Sequence, residues 1–356
     1  MELVNTTFLT AALGVGEMPG SDRRMGVLAA KATFRIGNEG QCAPDTDDPY
    51  PMFQNDEETP LGLLPRDDLP KGENTDVIVL GCAYPPHGRP ATRATVSVQV
   101  GTVKRSLAVI GNRFWQNGKM SDPEPFEKMP ITYANAFGGK AEVEIDQGSF
   151  ITLADPRNQE GKGFNAAAMI PAIASQFKTP DGYPRFSEIR PLPNIEDPDH
   201  LISSPEDAPV PAYWATVPMS TAIHAFRSMG LSAQDLKDPD ILTNKPDIGP
   251  TAKLWNRAHP SLDLDIQLAP GMAVIMDGLY PEGALQFNVP QWDIGADVLL
   301  NDKWVGVRLR PDTLVLLPEE KRFYIVYRFN FNYEYIAGTE RTVRLTCREC
   351  SEYSSL

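Results

Sequence analysis

Cysteine and histidine are the residue types in this chain that could bind a metal. Cys347 and Cys350 have the Cys-x-x-Cys spacing of half a zinc site. The other half would need Cys42 and Cys82, which are not at zinc-knuckle spacing. The histidines are dispersed and form no His-Glu-x-x-His motif: they are His87, His200, His224 and His259. We therefore expect no metal site and no cofactor.

Patterns typical of catalysis are equally weak. Gly139-Lys140 and Gly161-Lys162 lack the earlier glycine and the following Ser or Thr of a phosphate-binding loop. No Gly-x-Ser-x-Gly motif is present to hold a nucleophilic serine. Asp263 and Asp265 lie two residues apart, which places both on one face of a strand instead of across a cleft. We expect no catalytic residues and no enzyme, and we keep a carbohydrate-active hydrolase on a β scaffold as the alternative.

Aromatic residues flanked by glycines form the most unusual clusters in the sequence. Glycine permits positive φ and close backbone approach, and an aromatic side chain on a rigid loop gives a large contact area at low entropic cost. These clusters predict a partner-binding surface. Its residues are Tyr133, Asn135, Phe137, Gly138, Gly139, Gly161, Gly163 and Phe164. The alternative, that these loops only cap a sandwich, stays open.

The elements that must position these loops are mostly strands. Apolar residues alternate with polar ones from Leu262 to Leu268, Leu285 to Val289, Val305 to Leu309 and Tyr327 to Tyr335. A period of two is typical of antiparallel sheets with one buried and one solvated face. We predict a mainly β fold: two antiparallel sandwich-like lobes with proline-rich loops and a few short helices.

The helices are predicted at Phe164–Gln176 and Ser220–Lys237, where apolar or small residues follow a helical pattern. The acidic, proline-rich stretch 194–211 suggests a boundary. We predict an N-terminal β lobe over residues 1–195, which contains the aromatic and glycine clusters, and a C-terminal β-rich lobe over residues 196–356.

Composition narrows the classes of partner. The chain has 356 residues, 47 acidic against 33 basic side chains, and a net charge of −14. Such a surface repels a phosphate backbone, so we expect no nucleic-acid partner. The apolar stretches are far shorter than the roughly 20 residues that span a bilayer, so we expect no membrane partner. The few cysteines and the lack of a basic, apolar leader favour a soluble cytoplasmic protein.

Several segments together resemble a bacterial family called domain of unknown function 2169. Met129-Pro-Ile-Thr-Tyr-Ala-Asn-Ala-Phe-Gly-Gly139 resembles that family's Pro-Leu-x-Tyr-x-x-Ala-Phe-Gly-Gly signature. Asp155-Pro156 with Gly161-Lys-Gly-Phe164 is similar to its Asn-Pro-x-Gly-x-Gly-Phe motif, with an insertion and with Asp in place of Asn. The segment from Arg190 to Asp197 resembles its Leu-Pro-Asn-Ile/Leu-Glu motif.

The resemblance implies a role beside the type VI secretion apparatus of Gram-negative bacteria. It implies an adaptor or chaperone that binds an effector protein, a spike-tip repeat protein, or both, and assists loading. The resemblance supplies no catalytic residue. A structural component of the apparatus is a further alternative, and the oligomeric state is not predicted.

Overall fold

The chain folds mainly into β-strands. The computed structural model describes residues 1–17, 23–70, 74–116, 118–146, 149–166, 189–217, 256–300, 302–334 and 336–349. Within these ranges strands dominate and form several sheets. The prediction of a mainly β fold is confirmed.

The strands of the described residues are short at the loops and long in the main sheets. In the N-terminal part they are β1 Glu2–Asn5, β2 Thr10–Glu17, β3 Arg23–Ile36, β4 Cys42–Pro44, β5 Glu57–Thr59, β6 Gly62–Leu64, β7 Thr75–Val79, β8 Cys82–Ala83, β9 Arg93–Val100, β10 Val103–Ile110, β11 Phe114–Gln116, β12 Lys119–Met120, β13 Met129–Pro130, β14 Phe137–Gly138, β15 Lys140–Asp146, β16 Ser149–Ala154, β17 Lys162–Gly163, β18 Ile189–Pro191 and β19 Ile195–Glu196. The later strands are β20 Asp263–Leu264, β21 Ala273–Asp277, β22 Leu285–Asn288, β23 Trp292–Leu300, β24 Lys303–Arg308, β25 Arg310–Leu317, β26 Arg322–Glu334 and β27 Thr342–Glu349. Short 3-10 helices occur at Pro86–Gly88, Tyr133–Asn135 and Pro318–Glu320.

The largest sheet has the strand order β2-β3-β26-β25-β7-β20, with β4 paired to β3. Its centre is the long antiparallel pair of β3 and β26. The pairing of β7 with β25 is parallel, in contrast to the antiparallel sheets predicted from the sequence. These two strands are far apart in the chain, so no tight turn forces them to run in opposite directions.

Two further sheets have five and four strands. One has the order β19-β10-β9-β21-β22 and the other the order β1-β27-β23-β24. The ring of Phe287 on β22 stacks on Phe323 of β26, with centroids 4.0 Å apart and planes 13° apart. Side chains of the five-stranded sheet therefore interdigitate with those of the largest sheet, as in a β-sandwich.

The sheets combine strands from both sides of residue 195. β3 pairs with β26, and β9 pairs with β21. One large apolar core cluster likewise contains residues from both halves of the chain, such as Phe34 and Leu314. The two predicted lobes thus share sheets and a core, and their boundary at residue 195 stays a prediction.

The two predicted helices fall largely beyond the part of the chain that the structure describes. Residues 164–166 contain no α-helix, and residues 167–188 and 218–255 lie outside the described ranges. Among the described residues, no helix has the length and apolar character needed to cross a membrane.

Candidate partner-binding groove

Three motif segments that are separate in the sequence pack into one unit, which we call the loop unit: residues 129–139, 155–164 and 190–196. Its first two segments are joined by β14 and β17, which pair in parallel at Phe137–Gly138 and Lys162–Gly163. The third segment joins through the backbone N–H of Asn194, which donates to the carbonyl oxygen of Asn135 at 2.8 Å. The structure therefore brings together most of the residues predicted to bind a partner.

A partly buried polar network, with Asn194 at its buried centre, fixes the loop unit to the end of β10. The Nζ of Lys162 donates to Oδ1 of Asn135 at 2.9 Å and to Oδ1 of Asn194 at 2.8 Å. Asn194 is completely buried, and its Nδ2 donates to the carbonyl oxygen of Ile110 at 3.0 Å and to Oδ1 of Asn112 at 3.1 Å. Burial lowers the pKa of Lys162. Because each amide has a partner, this network holds the loops in one arrangement.

The glycines of the loop unit allow its segments to pack backbone against backbone. Gly138 has a φ of +139°, and a Cβ there would lie 2.2 Å from the backbone oxygen of Asn158. A Cβ on Gly139 would lie 2.4 Å from the backbone oxygen of Gly161. Gly163 also has a positive φ, of +97°. Close packing inside the loop unit accounts for glycine at these positions without a ligand.

Phe137 lies in the interior. Its side chain is 3% exposed, and the ring belongs to a small second core. The buried members of that core are Trp115, Phe137, Leu192 and Ile202. In this arrangement a partner cannot reach the Phe137 ring, so its predicted role as an anchor would require the loop unit to open.

The other two predicted aromatic anchors are more accessible. Tyr133 is partly buried, and its ring meets Tyr213 edge to face with centroids 5.4 Å apart. Burial raises the pKa of Tyr133 to about 12. Phe164 is also partly exposed, and its backbone N–H donates to the carbonyl oxygen of Gly138. These side chains stay candidates for partner contact, although both are anchored to the loop unit.

The loop unit also positions the segment that follows it. Arg113 and Glu196 form a buried ion pair, with 2% and 1% of their side chains exposed. Burial lowers the pKa of Arg113 and raises that of Glu196. The second oxygen of Glu196 accepts a hydrogen bond from the backbone N–H of Ile202 at 2.8 Å. Residues 197–202 are therefore held against the end of the five-stranded sheet.

That segment forms one wall of an open groove of about 840 Å³. The floor is formed by the first residues of β9, 93–95, and the last residues of β10, 108–110. Pro198 and Leu201 form the first wall, and residues 84–88 with the turn between β21 and β22 form the other walls. The volume falls in the range of ligand-binding clefts.

The groove combines apolar walls with a few charges. Leu201 is 42% exposed, so its apolar side chain is accessible on the groove wall. Arg93 is exposed and makes no ion pair with a described residue. Asp277 ends β21, and Glu282 lies in the turn between β21 and β22. His87 at the rim has a φ of +63°, a left-handed conformation that is uncommon for a residue with a side chain.

Tyr84 forms a rigid part of the rim. Its hydroxyl donates to Oε1 of Glu319 at 2.5 Å, and Lys128 pairs with the same carboxylate at 2.9 Å. Burial raises the pKa of Tyr84 to about 12, and the hydrogen bond to Glu319 acts in the same direction. The ring therefore presents a fixed aromatic edge to whatever occupies the groove.

Sequence reasoning missed this groove because its parts come from widely separated segments. Pro198 and Leu201 fell in the stretch 194–211, which suggested only a boundary. The sequence does carry a turn signal at Pro281-Glu282-Gly283. Only the pairing of β9 with both β10 and β21 brings these parts to one place.

Among the described residues, no three histidine, cysteine or acidic side chains are grouped to hold a metal ion. Cys347 is a half-buried cysteine on β27 that forms no disulfide with a described residue, whereas Cys350 lies outside the described ranges. The predicted lack of a metal site stays a prediction.

Comparison with known proteins gives a family and no individual relative. No curated protein and no solved structure matches the chain. The family described as an uncharacterized protein conserved in bacteria, DUF2169, matches residues 21–328, a range that contains the whole loop unit and every residue of the groove. The chain belongs to this bacterial family.

Proposed function

We propose that this protein is an adaptor that holds a segment of another protein in the groove beside the loop unit. One observation carries the proposal: an open groove of about 840 Å³ has an exposed leucine, Leu201, on a wall that the motif segments fix in place. An apolar wall beside the exposed charges of Arg93, Asp277 and Glu282 suits an extended peptide that offers apolar and charged side chains.

The finer proposal names the partner. The resemblance of residues 129–139, 155–164 and 190–197 to motifs of the family supports a type VI secretion effector or a spike-tip repeat protein as that partner. The adaptor would keep this partner ready for loading in the cytoplasm. The acidic net charge of −14 favours encounter with a basic partner surface and disfavours nucleic acid.

Affinity capture with matched variants tests the proposal. The bait is the full-length protein, expressed in bacteria that carry a type VI apparatus, and captured proteins are quantified by mass spectrometry. Leu201→Asp places a charge on the groove wall, so we expect at least a tenfold loss of the effector or spike-tip protein. Val210→Asp is the matched control, because Val210 is 50% exposed, lies outside strands and does not line the groove.

Both substitutions replace exposed side chains, so neither should lower the melting temperature appreciably. If the wild type and Leu201→Asp capture equal amounts of the effector or spike-tip protein, the groove does not hold that partner. Capture of neither an effector nor a spike-tip protein by any bait would remove the secretion role.

A hydrolase is the second candidate, because Asp277 and Glu282 line the same groove. A glycosidase needs two carboxylates that flank the scissile bond. Here both come from the single hairpin of β21 and β22 instead of from opposite walls, which favours binding over hydrolysis. Release of reducing ends from a panel of oligosaccharides, lost in both Asp277→Asn and Glu282→Gln, would instead support the hydrolase.

A further inference from the structure

The strand β24 forms an unpaired edge of the four-stranded sheet. It pairs with β23 on one side only, in an unbroken register from Leu300↔Lys303 to Gly295↔Arg308. No hydrogen bond joins its outer edge to any other described residue. A regular edge of six residues leaves alternate N–H and C=O groups free to pair with an added strand.

The side chains of β24 are exposed to solvent, except that of Val307, which is partly buried. Val305 stands directly opposite Val298, which in turn stands opposite Val343, so all three share the core-facing side. Val298 and Val343 are 1% and 0% exposed, whereas Val305 is 48% exposed. The apolar row of this sheet therefore continues into solvent at β24, where a further strand would cover it.

On the opposite face of β24, Trp304 offers an aromatic surface to an added strand. Trp304 is 45% exposed, and the guanidinium of Arg344 stacks over its ring at 4.4 Å. This cation–π contact holds the indole in place next to the free edge. An added strand would thus find an apolar contact on each face of the sheet.

Natural edge strands limit pairing with other chains by a bulge, a proline or charged side chains along the edge. The register of β24 shows no bulge, and its sequence Lys-Trp-Val-Gly-Val-Arg has no proline. Its charges are confined to the two ends and are both positive. Lys303 makes no ion pair with a described residue, and Arg308 meets Asp293 at 2.8 Å while 73% of its side chain stays exposed.

The charges of Lys303 and Arg308 favour an acidic strand over a second copy of this chain. A second copy paired antiparallel through β24 would set Lys303 opposite Arg308 twice, and a copy paired in parallel would set each cation opposite itself. Like charges directly opposite one another destabilise a strand pair. A strand with carboxylates at its ends would instead meet both cations favourably.

We propose that β24 is a docking edge that binds an extended, acidic segment of a partner protein by β-strand addition. The segment carries carboxylates opposite Lys303 and Arg308 and apolar side chains opposite Val305 and Val307. This surface is separate from the groove, which lies on the five-stranded sheet, so the inference does not depend on the groove being occupied.

The test uses a synthetic probe and the full-length protein. The probe is a fluorescein-labelled Glu-Val-Thr-Val-Thr-Glu peptide, whose residues match β24 when the two run antiparallel. The control peptide is Lys-Val-Thr-Val-Thr-Lys, with the same strand propensity and opposite charge. Fluorescence anisotropy should show that the wild type binds the acidic probe about tenfold more tightly than the basic one.

Lys303→Glu/Arg308→Glu should invert this preference. Lys104→Glu/Lys119→Glu changes the net charge equally at exposed positions elsewhere, so it should leave the preference as in the wild type. Leu201→Asp should also bind the acidic probe normally, which separates this edge from the groove. Hydrogen exchange should slow in residues 303–308 when the acidic probe is bound.

Failure of the wild type to bind the acidic probe would overturn the proposal. So would an unchanged preference in Lys303→Glu/Arg308→Glu, or slowed exchange confined to another strand. A concentration-dependent dimer in sedimentation, lost in the same variant, would identify a second copy as the occupant and overturn the acidic partner.

Discussion

The Nζ of Lys31 lies 2.7 Å from a carboxylate oxygen of Asp67, and both side chains are shielded almost completely from solvent. The ammonium also lies 4.2 Å from the ring centroid of Phe53 and 4.5 Å from that of Tyr324. Burial lowers the pKa of Lys31 to about 8, although Asp67 acts in the opposite direction. The desolvation of the charged lysine thus outweighs its attraction to the carboxylate.

The first prediction concerns how stability changes with pH. The pKa of Lys31 is lower in the folded chain, about 8, than its ordinary value of 10.5. Between these values the unfolded chain binds more protons, so the contribution of Lys31 to the free energy of unfolding rises with pH. Relative to Lys31→Met/Asp67→Asn, which carries neither charge, the wild type should gain up to about 1 kcal/mol per pH unit from pH 8 to 9.5.

Urea unfolding at several pH values measures this difference. Comparison with the double variant cancels the titration of groups whose pKa does not depend on this pair, such as Tyr327. Lys104→Met, at an exposed position, is the control and should follow the wild type at every pH. A difference that is flat or falls with pH would show that Lys31 is not desolvated as the structure indicates.

The second prediction tests whether Phe137 stabilises the core or anchors a partner. Because its ring is 3% exposed and packs with Trp115, Phe137→Ala should lower the free energy of unfolding by about 3–5 kcal/mol. Phe150→Ala is the matched control, since Phe150 is 60% exposed, and should cost at most about 0.5 kcal/mol. Denaturant unfolding gives both values. A nearly unchanged stability of Phe137→Ala with lost partner capture would restore Phe137 as an anchor.

The third prediction concerns the backbone of the loop unit. In Gly138→Ala the new Cβ would meet the backbone oxygen of Asn158 at 2.2 Å, and alanine disfavours a φ of +139°. We expect a loss of about 2 kcal/mol or more in the free energy of unfolding. Gly16→Ala is the control, because a Cβ there meets no atom within 4 Å. Equal stability of the two variants would show that the loop unit relaxes around the added methyl group.

The sequence predicted burial better than it predicted hydrogen bonding. The run from Leu262 to Leu268 alternates as expected, with Leu262, Leu264 and Leu268 buried. Only Asp263–Leu264 pairs as a strand, however. Alternation records which side chains face the core, and the strand partner is set by distant residues that the pattern does not show.

The long alternating run in β26 shows a second limit of predicting burial from the sequence. Alternation predicted that Arg328 faces solvent, yet it is 6% exposed and forms an ion pair with Asp312. Residues 323–328 are all buried, because the centre of the largest sheet is covered on both faces. A paired arginine can occupy such a site, and only the position of its partner reveals this.

The candidate site was predictable in part. The motif segments were recognised and do assemble, since local glycine and aromatic patterns mark them. The groove beside them was not, because its floor and walls depend on strand pairings between segments as distant as Thr95 and Asp277. Such long-range contacts leave no signal in a single sequence.

The last prediction connects the buried pair of Arg113 and Glu196 to the groove. Arg113→Met leaves the Glu196 carboxylate buried without its cation, so the free energy of unfolding should fall by about 3–5 kcal/mol. Arg113→Met/Glu196→Gln removes both charges and should be more stable than Arg113→Met alone, with a coupling energy of about 1–3 kcal/mol. The exposed pair of Arg308 and Asp293 provides the control cycle, whose coupling should stay below about 1 kcal/mol.

A second readout separates a purely structural pair from one that shapes the groove. Because Glu196 also accepts the backbone N–H of Ile202, Glu196→Ala should accelerate hydrogen exchange at Ile202 and loosen the wall that carries Leu201. Glu196→Gln keeps an oxygen that can accept this bond, so it should preserve more of the protection. If both variants exchange at the wild-type rate at Ile202, residues 197–202 are held by packing alone, and the buried carboxylate contributes to stability without positioning the groove wall.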